Sequence, residues 1–401
     1  MQPDGGAMRV CASVCGLVVL LTVFDISPLA AQSVMSRAEV RARTAELTTL
    51  GATLFRDPRL SASGRVSCAS CHDPAHGFGS PDARPVQPGG VDMARTSFRA
   101  PPSLTYLQDV PAFSEHEFES EDELDESADN GPTGGLTWDG RVDRTAAQAR
   151  IPLLSPDEMA NPDEMPVEKA LAAAGHGPTL DRLALKGESR FAVALEALEA
   201  YQQEAKTFYP FTSRYDGWLA GKEKLTPQEL HGLALFEDPA KGNCSSCHVS
   251  APGRDGSPPR FTDYGLIALA VPRNRQIAAN HNPAFHDLGL CGPLRTDFRD
   301  RPEYCGLFRT PSLRNVAQRK VFFHNGVVHD LREAVAFYVT RDSDPGRWYA
   351  RGPHGGTLYD DLPRRYWPNI NMDPPFGRKT PALSDDEIDA VVAFLRTLTD
   401  R

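Results

Sequence analysis

Two runs in this chain carry the residues for covalent haem chemistry: Cys68-Ala69-Ser70-Cys71-His72 and Cys244-Ser245-Ser246-Cys247-His248. In each, two thiols can bond the vinyl groups of one haem, and the histidine that follows lies where its imidazole reaches the iron. Two runs imply two covalently bound haem c groups, held through Cys68, Cys71, Cys244 and Cys247, with His72 and His248 as iron ligands. A redox dithiol or half a zinc site is the alternative, but a zinc ribbon needs a second Cys-x-x-Cys close by and these two runs are far apart.

The elements that must position these runs show a weak repeat. Leu50-Gly51-Ala52-Thr53-Leu54-Phe55-Arg56-Asp57-Pro58 precedes the first and His231-Gly232-Leu233-Ala234-Leu235-Phe236-Glu237-Asp238-Pro239 the second. Each reads as a short amphipathic helix stopped by Asp-Pro, then a loop, then the haem cysteines: a duplicated cytochrome c-like unit. The second helix has a clear start at Thr226-Pro227-Gln228-Glu229, with an N-cap, proline at N1 and glutamate at N3. Strand alternation is poor, and 34 Pro with 32 Gly predict long loops between short helices. The pattern predicts helices at 36–56, 142–151, 164–174, 188–206, 226–237, 330–340 and 384–399. The last opens with Ser384 to Glu387 and carries Ile388, Val391, Val392 and Leu395 on one face. The fold expected is mostly α, two cytochrome c-like haem domains with long loops and few strands. They divide near residue 215 into 32–215 and 216–401, with Tyr201 to Leu225 as a polar connection.

Residues 1–31 read as a signal peptide: Arg9, an apolar run from Val10 to Phe24, and a cleavage site after Ala31. The run is shorter than the ~20 residues a bilayer span needs, and no later run is longer, so an exported periplasmic protein without a span is expected. An uncleaved anchor is the alternative. Of eight cysteines, Cys11 and Cys15 leave with the leader and four hold haem. Cys291 and Cys305 remain, and in an oxidising compartment a disulfide is the plain expectation, with two unpaired thiols the alternative. A net charge of −10 argues against nucleic-acid or anionic-membrane binding. Ser114 to Asp129 is dense in carboxylates. It reads as a solvated loop, or more sharply as a docking surface for a cationic partner or a weak metal site.

A haem with histidine on one face is a peroxide site if its other face is open and a relay if that face is filled. In Asp330 to Tyr338, Asp330 and Glu333 form a capping box, and Leu331, Ala334, Val335 and Tyr338 fall on one face. Spacing alone makes Tyr338 a core residue. However, Trp138-Asp139-Gly140-Arg141, Leu153-Leu154-Ser155-Pro156-Asp157-Glu158-Met159, Phe308-Arg309-Thr310-Pro311-Ser312-Leu313-Arg314-Asn315-Val316 and Phe323-His324-Asn325-Gly326 resemble the motifs of bacterial dihaem cytochrome c peroxidases and the MauG group. The resemblance runs from about residue 45 to the end. Tyr338 falls where the peroxidases place an axial methionine and MauG an axial tyrosine, which implies that Tyr338 ligates the second iron. A phenolate stabilises higher oxidation states, so such an enzyme needs no prior reduction.

The resemblance also places Gln148, Pro152 and Glu158 over the open face of the first haem, with Glu158 as the acid–base group for peroxide. Ser155-Pro156-Asp157-Glu158 alone reads as a helix N-terminus. The glycine-rich loop Pro88-Gly89-Gly90-Val91-Asp92-Met93 lacks the family's removable histidine, which implies a permanently open, five-coordinate first haem; ligation by Met93 in a resting state is the alternative. Trp138 would lie between the haems as a relay for electron holes. Two departures qualify the resemblance. MauG has a tryptophan two residues before its second haem run where this chain has Gly242, so the exit route or the partner differs. The calcium ion the family holds near its haems would meet Arg99, whose guanidinium can replace the cation's charge, which puts calcium in doubt. Leu288 to Arg295, the cysteine pair and Phe337 to Asp342 are most similar to the methanobactin-associated, MbnH-like branch. That branch implies hydrogen peroxide as oxidant, and oxidation of a tryptophan to kynurenine on a small copper-binding partner protein. A cytochrome c peroxidase fed by a small cytochrome or cupredoxin is the nearest rival, and a non-catalytic electron carrier the rival from another class.

Overall fold

The structure, a computed structural model, describes residues 35–116, 131–349, 351–352, 355–356 and 358–401. The leader expected at 1–31 and most of the acidic run, from residue 117 on, lie outside the described residues. The first half carries α1 (Arg37–Leu54), α2 (Cys68–Cys71), α3 (Thr145–Leu154), α4 (Glu164–Ala173), α5 (Gly177–Leu183), α6 (Arg190–Gln202) and α7 (Ala205–Phe208). The second carries α8 (Arg214–Leu219), α9 (Pro227–Glu237), α10 (Leu331–Thr340), α11 (Pro345–Trp348) and α12 (Asp385–Arg396). Strand structure among the described residues is three two-residue antiparallel pairs, Pro88–Gly89 with Arg95–Thr96, Leu266–Ile267 with Phe308–Arg309, and Arg351–Gly352 with Gly355–Gly356. The protein is therefore mostly helical with few strands.

The helix starts follow local chemistry. At α9 the Thr226 hydroxyl accepts from the Glu229 N–H at 3.3 Å while the Glu229 carboxylate accepts from the Thr226 N–H at 2.8 Å. Ser384 and Glu387 repeat this pairing at α12, and Asp330 accepts from the Glu333 N–H at 3.1 Å to start α10. Each exchange satisfies amides that the helix itself leaves unpaired.

Residues 42–401 form one compact unit, and within it the two largest apolar cores divide by sequence. The first runs from Leu47 to Phe208 and includes Leu54, Leu153, Leu171 and Val193. The second runs from Tyr215 to Leu398 and includes Phe236, Phe261, Val391 and Phe394. A fully buried leucine or phenylalanine of this kind contributes about 1.5–3 kcal/mol. The repeat seen in sequence has a physical counterpart. A Cβ on Gly51 would stand 1.9 Å from the Ala197 carbonyl oxygen of α6, and one on Gly232 would stand 1.9 Å from the Ala390 carbonyl oxygen of α12. Each pre-haem helix thus presses a bare glycine onto the backbone of a later helix in its own core.

The stretch from Tyr201 to Leu225 differs from the polar connection expected. It contains α7 and α8, and Phe208 and Tyr215 are buried. The Tyr106 hydroxyl donates to the Asp400 carboxylate at 2.8 Å and accepts the Phe211 N–H at 3.0 Å, so the connection is fastened to the C-terminus as well as to the first half.

Candidate functional site

In both haem runs the histidine meets the same environment. The His72 Nδ1–H donates to the Phe78 carbonyl at 3.0 Å, and the His248 Nδ1–H donates to the Phe261 carbonyl at 3.0 Å. A carbonyl can only accept, so each bond fixes the tautomer that leaves the Nε2 lone pair free for a metal. Phe78 and Phe261 both sit in the left-handed region, at φ 53° and 54°, which bulky residues rarely adopt. Burial holds both imidazoles neutral, lowering His72 and pulling His248 down to about 4.

The four cysteines of these runs are free of disulfides. Burial pushes Cys68, Cys71 and Cys244 up to about 12 and Cys247 up to about 11. A redox dithiol needs a lowered thiol pKa, so this environment weighs against that alternative and suits thiols destined for thioether bonds. Cys291 and Cys305 are joined to each other.

Cys68, Cys71, His72, Gln148, Pro152 and Glu158 line one cavity, and Trp138 lines it as well. Gln148 and Pro152 stand one turn apart on α3, on the same face. Ser155 to Glu158 forms a turn after α3, not the helix start that its composition suggests. That turn is clamped: the Gly90 N–H donates to the Glu158 carbonyl at 2.8 Å, and the Ala62 N–H to the Met159 carbonyl at 2.8 Å. The glycine loop lies so close that a Cβ on Gly89 would stand 2.3 Å from the Asp157 carbonyl oxygen. Met93 packs at the edge of the first core. Burial raises the Glu158 carboxyl above the usual range, against the opposing pull of Arg141.

Trp138 also lines a second cavity with Arg309, Arg319 and Phe323. Its indole N–H donates to the Ala100 carbonyl at 2.8 Å, and its own carbonyl accepts from the Arg309 N–H at 2.8 Å. Tyr338 lies on α10 at the edge of the second core, against which Cys244 also packs. The fully buried positions of α10 are Ala336, Phe337 and their neighbours, so the face carrying Leu331, Val335 and Tyr338 is the half-buried one. Burial, reinforced by Cys247 and Cys244, pushes the Tyr338 phenol far up. It stays protonated unless a cation draws the proton off.

Sequence reasoning missed two guanidiniums. Arg309 and Arg319 are pulled down to about 10 by burial, and among the described residues each donates to a backbone carbonyl, of Thr137 and Ser312, with no carboxylate partner shown. Arg319 Nε has no hydrogen-bond acceptor. Buried cations without anions fit a ligand that brings its own carboxylates, as haem does through its propionates. The only signal was Arg309 within the Phe308 to Val316 motif. Arg99 shows the opposite arrangement. It is buried between Asp139 and Asp287, bonded to them at 2.6 and 2.7 Å. Those carboxylates already have their cation, and among the described residues no group of three or more His, Cys, Asp or Glu could hold a metal ion.

A histidine held by a carbonyl beside a Cys-x-x-Cys pair occurs twice, Gln148 and Glu158 line a cavity at the first, and Arg309 lines that cavity and the next; in a helical fold these features suit a haem-dependent oxidoreductase. The sequence profile of the di-haem cytochrome c peroxidase family matches residues 45–224. The chain is 34% identical to the methylamine utilization protein MauG of Paracoccus denitrificans, over 95% of this chain and 96% of that one. The chain belongs to this dihaem peroxidase and MauG family, whose members carry two haems. Among solved structures, the diheme peroxidase BthA from Burkholderia thailandensis matches with a TM-score of 0.77 and 41% identity, covering 88% of this chain and 86% of that chain. A MauG-like protein associated with microbial copper homeostasis matches with a TM-score of 0.62 and 26% identity, covering 88% and 89%. No helix among the described residues is long and apolar enough to cross a membrane.

Proposed function

We propose that this protein is a periplasmic dihaem enzyme that uses hydrogen peroxide to oxidise a side chain on a partner protein, built from two cytochrome c-like halves that divide near residue 215. Haem c would be held through Cys68 and Cys71 with His72 on the iron, and through Cys244 and Cys247 with His248 and Tyr338 on the iron. Bound there, the haems supply peroxide reduction and storage of the resulting oxidising equivalents. The observation that carries the reading is the Glu158 carboxyl, raised by burial and facing the cavity that His72 lines.

Glu158 takes the proton from one peroxide oxygen and returns it to the other as that oxygen leaves as water. The clamped Ser155–Glu158 turn holds the carboxyl in place, and Gln148 and Pro152 on α3 bound the space beside it. Trp138, lining both cavities, is the aromatic bridge between the two halves. The Arg99 guanidinium removes the need for a calcium ion between Asp139 and Asp287. A tryptophan on a partner, oxidised to a kynurenine-type product, is the donor that the MbnH-like resemblance of Leu288 to Arg295 and Phe337 to Asp342 implies, and a small copper-binding protein is the partner suggested by the copper-associated neighbour. The higher identity to BthA, 41% against 26%, favours a second reading, in which a small cytochrome or cupredoxin feeds electrons to an ordinary peroxidase.

The test is a peroxide titration of the as-isolated ferric holoprotein followed by absorption and electron paramagnetic resonance. One high-spin haem, one low-spin haem without a methionine–iron band, and a lasting change at one equivalent of peroxide support the proposal. Two low-spin haems inert to peroxide sink it. Fast turnover only when a reduced carrier is added selects the second reading.

A further inference from the structure

The route by which oxidising equivalents reach the surface is written in the side chains beyond Tyr338. The Tyr338 ring lies 5.6 Å from Phe376. The buried Arg341 guanidinium stacks on Phe376 at 3.8 Å and lies 5.7 Å from the Tyr359 ring. Tyr359 meets Trp367 edge-on at 5.2 Å. Trp367 is half-buried; the exposed Arg364 guanidinium lies 5.6 Å from its ring, and the exposed Arg365 lies 4.7 Å from the ring of the adjoining Tyr366. The tract thus leads from the second haem site to solvent.

Tyr359 is the one member built for redox work. Its hydroxyl donates to Asp342 Oδ1 at 2.8 Å. The same carboxylate is held by Arg341 at 3.0 and 2.8 Å and by the Gly377 N–H at 2.8 Å. Burial works to raise Asp342, yet these donors outweigh it and keep the carboxyl below its usual range. It is an ionised acceptor already in line with the phenolic proton. A phenol that loses an electron must lose its proton, and a base in hydrogen-bond contact lets it do so along an existing bond. Arg341 makes this necessary, because a cationic ring beside a buried guanidinium is repelled whereas a neutral tyrosyl radical is not. Tyr359 also sits at φ 52°, a costly conformation for a bulky residue that the surroundings must impose. The competing tract through Phe337 to Trp348 ends on a hydrogen bond to the Thr340 hydroxyl, which is no base.

We propose that Tyr359, with Asp342 as its proton acceptor, is the redox-active station through which oxidising equivalents pass from the Tyr338 side of the second haem site to Trp367 at the surface. The inference rests on the peroxide-driven reading above. One electron leaves Tyr359 for the peroxide-oxidised haem site, and its proton moves to Asp342. Trp367 then returns one electron to Tyr359, the proton moves back, and Trp367 is left one electron short, ready to oxidise a docked reductant. Arg364 and Arg365 beside it suit a reductant protein with an acidic face.

The experiment reacts wild-type, Tyr359→Phe and Trp367→Phe holoprotein with one equivalent of peroxide without any reductant. Haem absorption, freeze-quenched electron paramagnetic resonance and peptide mass spectrometry are then recorded. Wild type is expected to show a protein radical and oxidised Trp367. In Tyr359→Phe the haems respond to peroxide, but the tyrosyl signal is lost and Trp367 oxidation falls to that of the unreacted control. In Trp367→Phe the tyrosyl signal persists longer. Trp367 oxidation unchanged in Tyr359→Phe, or oxidation found at Trp348 instead, overturns the relay while leaving the peroxide reading intact. Wild-type haems that do not respond to peroxide overturn both.

Discussion

The residue on which the proposed chemistry turns is Glu158. Its raised carboxyl has a signed consequence for pH: the group must be ionised to accept a proton from peroxide, so the reaction should fall with acid through a midpoint above the ordinary carboxylate value. Glu158→Gln should slow the reaction by about 10²–10⁴-fold and abolish that acid limb, as read by stopped-flow absorption at several pH values. An unaltered pH profile in the variant would remove Glu158 from the mechanism. At the proposed second site Tyr338→Phe deletes the phenol oxygen while preserving the ring that packs against the second core. The as-isolated protein should then gain a second high-spin haem signal in the electron paramagnetic resonance spectrum. If the low-spin signal stays as it was, another residue ligates that iron.

At the scale of elements, the two pre-haem helices depend on a missing side chain. Alanine in place of an interior helical glycine ordinarily helps by about 0.5–1 kcal/mol. Here the sign reverses, because the added Cβ on Gly51 or Gly232 would stand 1.9 Å from a carbonyl oxygen of a packed helix. Gly232→Ala should cost about 1–3 kcal/mol through overpacking of α9 on α12, and Gly51→Ala the same for α1 on α6. Thermal denaturation of each variant measures this, and a raised Tm in either would show that the helices move apart freely. The same logic makes the glycine loop a support for the Glu158 turn. Gly89 lets the loop close on Asp157 and Glu158, so that backbone contact from the loop helps set the position of the carboxyl.

For the molecule as a whole, Arg99 is the tie between distant segments. It bonds Asp139, forty residues on in the first half, and Asp287 in the second. Burial raises Asp139, but Arg99 and Arg141 outweigh it, so its carboxyl lies below the usual range. A depressed carboxylate contributes stability above its unfolded pKa and loses that contribution as pH falls through its folded value. Arg99→Met leaves the buried Asp287 without its cation and Asp139 with Arg141 alone, and should cost about 3–5 kcal/mol at neutral pH. Because those carboxylates can then escape charge by protonation, the deficit should shrink in acid. Denaturant titrations at two pH values test this, and a deficit independent of pH would mean that the loss is one of packing rather than charge.

What the sequence determined by itself is local. Cys-x-x-Cys-His spacing, the Thr226–Glu229 and Ser384–Glu387 caps and the apolar stripe of α12 depend on residues within a turn or two of one another, and short-range sterics and hydrogen bonds decide them. The repeat around Gly51 and Gly232 was legible for the same reason. Only the tertiary structure decided the rest. The Ser155–Glu158 turn, read locally as a helix start, is shaped by the Gly89–Gly90 loop pressed onto it from outside. The carbonyls that orient His72 and His248 come from 6 and 13 residues away, after loops whose course no periodicity records. Arg309, Arg319 and the Arg341–Tyr359–Trp367 tract become meaningful only as neighbours in space. A buried charge or an aromatic ring is defined by what surrounds it, and those surroundings come from segments that meet only once the chain has packed.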